Sequence, residues 1–400
     1  MHVTERFLKY VSFPTTSSET SDTVPSTPEQ KVLGAYLARE LEELGLQNAH
    51  MDEQGYVYAV LPATEGFEGE ALGLIAHMDT SPAVSGTDIH PAIVRYAGGD
   101  LPLGDGKVVT RTSDFPALEK YIGQELVVTD GTTLLGADDK AGVAEIVTAC
   151  EYLLAHPEIP HRTLAVCFTP DEEIGRGADH FDRDRFPARQ AYTVDGGELG
   201  ELEYENFNAA AVTLTVRGVN IHPGEAKNRM KNAVLMAGQF LSMLPPAEAP
   251  AHTEGYEGFY HVCDMAGNES ETVLHLIVRD HDRERFEQRK IFLRRVSDYL
   301  NDVWGTGSFL LEMNDSYYNM KEKILPHMEL IHRAQRAMED AGVTARVVPI
   351  RGGTDGARLS YEGLPCPNLS TGGMNFHGIH ECIPVNSMEK MVEVLVGLAR

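Results

Sequence analysis

Five short polar clusters in this 400-residue chain bring together the side chains that hold divalent cations. They are His77-Met78-Asp79, Gly136-Ala137-Asp138-Asp139-Lys140, Asp171-Glu172-Glu173, Asp195-Gly196-Gly197 and Asn375-Phe376-His377-Gly378-Ile379-His380-Glu381. Imidazole nitrogens mixed with carboxylate oxygens suit zinc or a similar borderline metal, whereas calcium and magnesium favour oxygen alone. Taken singly, each cluster has a plain structural explanation. Asp138-Asp139 fits a helix N-cap, Asp195-Gly196-Gly197 a turn, and Glu172-Glu173 a solvated loop. The combination is what points to chemistry.

The elements around the clusters strengthen that reading. Short apolar runs at 56–61, 71–76, 164–168 and 192–194 are bounded by turn residues or charge, as buried strands are. His77, Thr169 and Asp195 follow three of these runs, the His377 segment follows a presumed strand at 368–370, and Asp138 opens a helix over 140–154. Ligands of open α/β sheets bind beyond the carboxyl ends of the strands. Residues 1–13 read as an amphipathic helix. Thr27-Pro28-Glu29-Gln30 has the form of a capping box with proline at the first helical position, and Gly45 ends the helix it starts.

Beyond residue 208 the order changes to strand 209–217, helix 225–244, strands 258–265 and 272–279, helix 281–303 and strand 308–313. This β-α-β-β-α-β order is the ferredoxin-like split unit. Helix 326–341, strand 346–350 and helices 354–361 and 387–398 then restore the α/β pattern. The expected architecture is an α/β domain, 1–207 and 317–400, interrupted by an inserted lid over 208–316.

Composition narrows the class. Hydrophobic residues at 42% and charged residues at 24% are ordinary for a globular chain. Thirty-four Lys and Arg against 60 Asp and Glu give a formal charge of −26, with no basic stripe, which argues against nucleic-acid binding. The paired glycines at 98–99, 352–353 and 372–373 form no phosphate-binding loop. No apolar run approaches the ~20 residues of a membrane span. Five cysteines without a CxxC pair fit a reducing cytoplasm.

Leu74-Ile75-Ala76-His77-Met78-Asp79-Thr80, Leu135-Gly136-Ala137-Asp138-Asp139-Lys140-Ala141-Gly142 and Phe168-Thr169-Pro170-Asp171-Glu172-Glu173 resemble the metal-site motifs of the co-catalytic zinc aminopeptidases and deacylases. That family also holds succinyl-diaminopimelate desuccinylase and the aminoacylases. Tyr192-Thr193-Val194-Asp195-Gly196-Gly197, Glu203-Tyr204-Glu205-Asn206-Phe207-Asn208 and Arg351-Gly352-Gly353-Thr354-Asp355-Gly356 are similar to motifs of its tripeptide aminopeptidases. So are Glu254-Gly255-Tyr256-Glu257-Gly258-Phe259-Tyr260-His261 and Asp315-Ser316-Tyr317-Tyr318-Asn319-Met320, and the likeness spans essentially the whole chain.

The resemblance implies a zinc-peptidase-like α/β sandwich with a ferredoxin-like lid and two Zn²⁺ per subunit, with Co²⁺ or Mn²⁺ as substitutes. His77 and Asp195 would hold one zinc, Glu173 and His377 the other, and Asp138 would bridge them. Residue types alone leave Asp139 and His380 as alternatives; family spacing to Lys140 and Glu381 selects Asp138 and His377. Asp79 would orient His77, and Glu172 would be the general base and later the acid. Two zinc ions bring four positive charges against three carboxylates, leaving one for a hydroxide to neutralise.

Gly218-Val219-Asn220-Ile221-His222-Pro223-Gly224 resembles the family's histidine loop, so His222 would donate to the scissile carbonyl and its oxyanion. Arg351, entering a glycine-rich turn, and Arg279, at a strand end, are candidates to grip a peptide carboxylate; Arg279 reads equally well as a surface salt bridge. An extended residue spans ~3.3–3.6 Å, so such a grip would measure substrate length. The expected activity is release of the N-terminal residue from tripeptides, a small peptide substrate, with a same-family dipeptidase or N-acyl-amino-acid deacylase as the alternative. A homodimer through the lid is also expected from the family. A merely metal-holding scaffold would need neither Glu172 nor His222.

Overall fold

Leu72–His77 and Leu164–Thr169 are buried along their whole length, as continuous apolar strands must be when both faces of a sheet are covered. In the computed structural model, which describes residues 1–400, they lie side by side and parallel at the centre of an eight-stranded sheet. From one edge the order is Gln47–Met51, Val57–Leu61, Leu164–Thr169, Leu72–His77, Gln190–Gly196, Asn368–Ser370, Glu201–Glu203 and Arg346–Val347. The four central strands, Leu164–Thr169 to Asn368–Ser370, are mutually parallel, so their carboxyl ends share one rim. Helix Ala137–Ala155 packs on Leu72–His77 and Gln190–Gly196, with Val3–Val11 and Val385–Ala399 against it. No helix is long and apolar enough to cross a membrane, and all five cysteines are free, four of them buried.

Helix Glu29–Leu44 ends at Gly45, whose φ of +99° is the left-handed conformation glycine adopts without strain. Its start departs from the expected capping box. Thr27 Oγ1 donates to Thr16 O at 2.9 Å, and Gln30 Nε2 turns to Thr27 Oγ1 and to Asp171. The expected strand 346–350 shortens to Arg346–Val347, because Pro349 has no N–H to offer a ladder. Strand Gln47–Met51 and a small sheet of Ala92–Arg95, Glu125–Val128 and Cys382–Pro384 were not expected from sequence; they are short and partly polar.

A second compact unit comprises Glu205–Lys321 with Pro349–Gly353, and the first comprises Met1–Tyr204, Glu322–Val348 and Thr354–Arg400. The crossings fall a few residues outside 208 and 316 because Asn206 binds the returning chain. Its N–H donates to Asn319 Oδ1 at 3.2 Å, its Nδ2 to Tyr318 O at 3.2 Å, and its Oδ1 accepts from Met320 N at 2.7 Å. Ile350 N donates to Glu205 O at 2.8 Å, which carries 349–353 into the same unit.

Within that unit the antiparallel order is Phe259–Gly267, Glu271–Asp280, Asn208–Arg217, Phe309–Tyr317, with helices Ala233–Met243 and Arg283–Trp304 completing the β-α-β-β-α-β sequence. Leu214, Leu274, Phe240 and Phe286 lie in its core. The expected helix 225–244 begins later, at Ala233, because Asn232 caps it by accepting from Val234 N and Leu235 N.

Candidate metal centre

Strand Leu72–His77 delivers His77, 2% exposed, to the rim. Its Nε2 lies 2.9 Å from Asp138 Oδ1 and 3.3 Å from Asp195 Oδ1. Asp195 is carried by the adjacent strand Gln190–Gly196, and Asp138 stands at the non-helical entrance of Ala137–Ala155. The second oxygen of Asp138 lies 3.0 Å from His377 Nε2, and that nitrogen lies 2.9 Å from Glu173 Oε2. One carboxylate therefore faces two imidazoles, one oxygen to each, with Asp195 on the His77 side and Glu173 on the His377 side. Glu172 has a carboxylate oxygen within 4.8 Å of donor atoms of both His77 and Asp195.

The alternatives left open by residue type have other partners. Asp139 is buried and accepts from the N–H groups of His77 and Gly142, at 3.0 and 3.2 Å. His380 Nδ1 lies 2.9 Å from Thr110 Oγ1, and its ring packs on Phe115. Asp79, fully buried, presents its backbone O 3.1 Å and its Oδ1 3.4 Å from His77 Nδ1.

Three supporting carboxylates escaped the sequence reading. Glu381 accepts from the N–H groups of Leu135, Gly136 and Asp138 at 2.7, 2.9 and 3.1 Å, cradling the turn before Asp138. Asp171 accepts from Ser26 and Gln30 beneath Glu172-Glu173. Asp355 accepts from Thr169 Oγ1 at 2.9 Å, and burial pushes its carboxyl up to about 7. Asp171 and Glu381 stand inside two of the polar clusters and Asp355 inside the Arg351–Gly356 motif, but nothing local marked any of them as a support.

The electrostatics show a surplus of negative charge. Burial works against a charged His77, but Asp195 and Asp138 overcome it and raise its pKa well above the usual range. Hydrogen bonding to Asp138 and Glu173 pushes His377 up to about 11. Burial works to raise Asp138, yet His377 and His77 hold it below the ordinary carboxylate range. Burial raises Asp195 to about 7, and burial with the charge of Asp195 raises Glu172 well above normal. Burial and then Asp138 raise Glu173, whose buried Oε1 has no protein partner. Crowded carboxyls, two imidazoles and an orphaned oxygen form a donor set that divalent cations would satisfy better than protons.

The other predicted residues lie in the second unit. His222 is exposed, and its Nδ1 accepts from Gly224 N at 3.2 Å. Arg279 donates from Nη1 to Val278 O and Ala210 O at 3.1 and 3.4 Å and lies over the Tyr317 ring. Arg351 donates from Nη1 to Gly255 O and Glu257 O at 2.8 and 3.1 Å, and from Nη2 to Thr253 Oγ1 at 3.0 Å. Both its terminal nitrogens are thus engaged by the 253–257 loop, a contact the sequence did not suggest.

A parallel-centred α/β sheet with an inserted split β-α-β unit and a His/Asp/Glu cluster at the strand ends agrees with the relationships of the chain. The profile of Peptidase family M20/M25/M40 matches residues 127–400, and the chain belongs to that family. Curated relatives named Peptidase T match nearly its whole length; that of Halothermothrix orenii is 56% identical over 398 residues, covering 99% of this chain and 98% of its own. A tripeptidase from Staphylococcus aureus has the same fold, with a TM-score of 0.79 at 21% identity over 100% of this chain and 97% of that one. A dinuclear metal-binding peptidase of the M20 family from Bacillus subtilis gives 0.64 at 14% identity, covering 99% and 96%.

Proposed function

We propose that the chain is a cytoplasmic aminopeptidase that releases the N-terminal residue of tripeptides with two zinc ions. The observation that carries the reading is the pair of Asp138 oxygens set against His77 and His377, with Glu172 beside the cluster. His77 and Asp195 would hold one ion, His377 and Glu173 the other, and Asp138 both. When bound, the paired ions supply Lewis acidity towards water and the scissile carbonyl.

The chain's own residues would do the rest. Glu172 takes a proton from water and returns it to the departing amine nitrogen. Asp79 fixes the orientation of His77 through Nδ1. His222 donates a hydrogen bond to the carbonyl oxygen as it gains charge. Arg279 and Arg351, both already donating to backbone carbonyls, are the two candidates to grip the substrate carboxylate. The tripeptide assignment draws on the Peptidase T relatives.

Metal analysis together with hydrolysis of Leu-Gly, Leu-Gly-Gly, Leu-Gly-Gly-Gly and N-acetyl-leucine tests the reading. The tripeptide should exceed the others in kcat/KM by about tenfold or more, with two metal ions per chain. Equal rates on the dipeptide, or a preference for the N-acyl amino acid, would move the assignment to a dipeptidase or a deacylase.

A further inference from the structure

A cavity of about 620 Å³ opens in front of Glu173 and His377, and residues 17–20 and 81–83 form its other wall. That wall carries the hydroxyls of Ser17, Ser18, Thr20 and Ser81 and a single carboxylate, Glu19. Glu19 is exposed, and its carboxylate has no hydrogen-bond or ion-pair partner in the protein.

The wall is fixed to the framework that carries the candidate metal centre. Thr15 Oγ1 donates to Met78 O at 2.7 Å and Ser17 N to Thr80 O at 3.1 Å, which lays the segment along the residues that follow His77. Ser18 N donates to Ser26 Oγ at 2.9 Å. Ser26 in turn donates through its N–H and Oγ to Asp171, at 2.7 and 2.5 Å. Gln30 closes this knot, donating from Nε2 to Asp171 Oδ1 at 2.7 Å and accepting from Asp171 N at 3.1 Å. Since Asp171 directly precedes Glu172-Glu173, Glu19 sits in a segment whose two ends are set relative to both halves of the centre.

We propose that Glu19 is a specificity-determining residue that receives the α-ammonium group of the substrate's N-terminal residue. The proposal rests on the aminopeptidase reading above. In such a substrate two bonds, of ~1.46 and ~1.52 Å, separate the amine nitrogen from the scissile carbonyl carbon. The ammonium must therefore lie in the space next to the centre. There it needs a counter-charge of its own, and the cavity's opposite wall is the other surface within reach. The carboxylates of the centre are committed to metal or to proton transfer, which leaves Glu19 as the counter-charge on that wall, with serine and threonine hydroxyls around it as further acceptors.

The test compares kcat and KM for Leu-Gly-Gly, its des-amino analogue 4-methylpentanoyl-Gly-Gly and Lys-Gly-Gly on the metal-loaded wild type, Glu19→Gln and Glu19→Asp. The preference for the free amine over the des-amino analogue should fall roughly 3- to 10-fold in Glu19→Gln, mainly through KM, as an ion pair partly screened by water implies. Glu19→Asp should recover part of it. An unmoved preference in Glu19→Gln, with an active wild type, overturns the proposal alone. A loss confined to Lys-Gly-Gly also overturns it, because Glu19 would then read the first side chain. A wild type inactive on every peptide overturns the aminopeptidase reading and this proposal together.

Discussion

Asp79 Oδ1 accepts the backbone N–H of Glu172 at 3.0 Å. Its Oδ2 accepts the N–H of Glu173 at 3.2 Å, so one buried carboxylate fixes the loop that presents both glutamates. The backbone position of the pair thus depends on Asp79 rather than on the Glu172 side chain, and that side chain can be changed without displacing Glu173. Glu172→Gln is expected to keep the metal content of the parent while kcat falls about 10²–10⁴-fold, the range for loss of a general base. Elemental analysis beside steady-state rates checks it. Metal lost together with activity would make Glu172 a ligand, which its closeness to His77 and Asp195 would allow.

Burial and mutual repulsion hold Glu172, Glu173 and Asp195 above their ordinary pKa values. Cations that relieve this repulsion bind the folded chain and not the unfolded one, and therefore stabilise it by mass action, about 4 kcal/mol at a thousandfold excess over Kd. Exhaustive chelation should abolish peptide hydrolysis and lower Tm by several degrees. Zinc, cobalt or manganese should restore both. A chelated protein that keeps full activity would exclude a metal role for this cluster.

Much of the site was legible because strand ends are legible. An apolar run bounded by charge marks where a buried strand reaches the rim, and His77, Glu173 and Asp195 each sit at such a boundary. The supports were not, because their partners are remote in sequence. Gln30 meets Asp171 across 141 positions and Glu381 meets Leu135 across 246, and no local pattern records either pairing. The same limit misassigned Thr27-Pro28-Glu29-Gln30. Its composition suits a capping box, but a buried carboxylate elsewhere offers Gln30 a charged acceptor, which outcompetes the local cap. Arg351 adds a contact of the same remote kind, with its guanidinium set among the carbonyls of the 253–257 loop.

Glu203 should govern part of the pH dependence of stability. It is 8% exposed on strand Glu201–Glu203 and accepts from Asn368 Nδ2 at 2.7 Å, and burial pushes its carboxyl up to about 8. An unfolded glutamate titrates near ~4.3. From roughly pH 4 to 8 the folded chain keeps a proton that the unfolded chain releases, so stability is greatest below that window and declines as pH rises through it. Glu203→Gln, which can still accept from Asn368, should be more stable than the parent at pH 9 by on the order of 2–4 kcal/mol. The fall in Tm between pH 5 and 9 should flatten accordingly. An identical slope in the variant would show that Glu203 does not titrate in that range.

Gly142 sets the distance between the helix that carries Asp138 and the strand that carries Asp195. A Cβ at this position would stand 2.0 Å from Val194 O and 2.4 Å from Asp139 Oδ1, so the close approach of helix Ala137–Ala155 to strand Gln190–Gly196 requires a residue without a side chain. Gly142→Ala must push the helix entrance away from the strand, and the backbone oxygen in its path cannot rotate aside as a side chain could. The expected result is a loss of about 1–3 kcal/mol of stability, typical of overpacking, with weaker metal binding because Asp138 and Asp195 no longer meet at His77. Gly238 provides the internal control: it lies in helix Ala233–Met243 with no atom within 4 Å of an added Cβ. Gly238→Ala should therefore stabilise by roughly 0.5–1 kcal/mol through helix propensity. Paired urea titrations and metal-binding isotherms separate the two, and equal behaviour of the variants would refute a spacing role for Gly142.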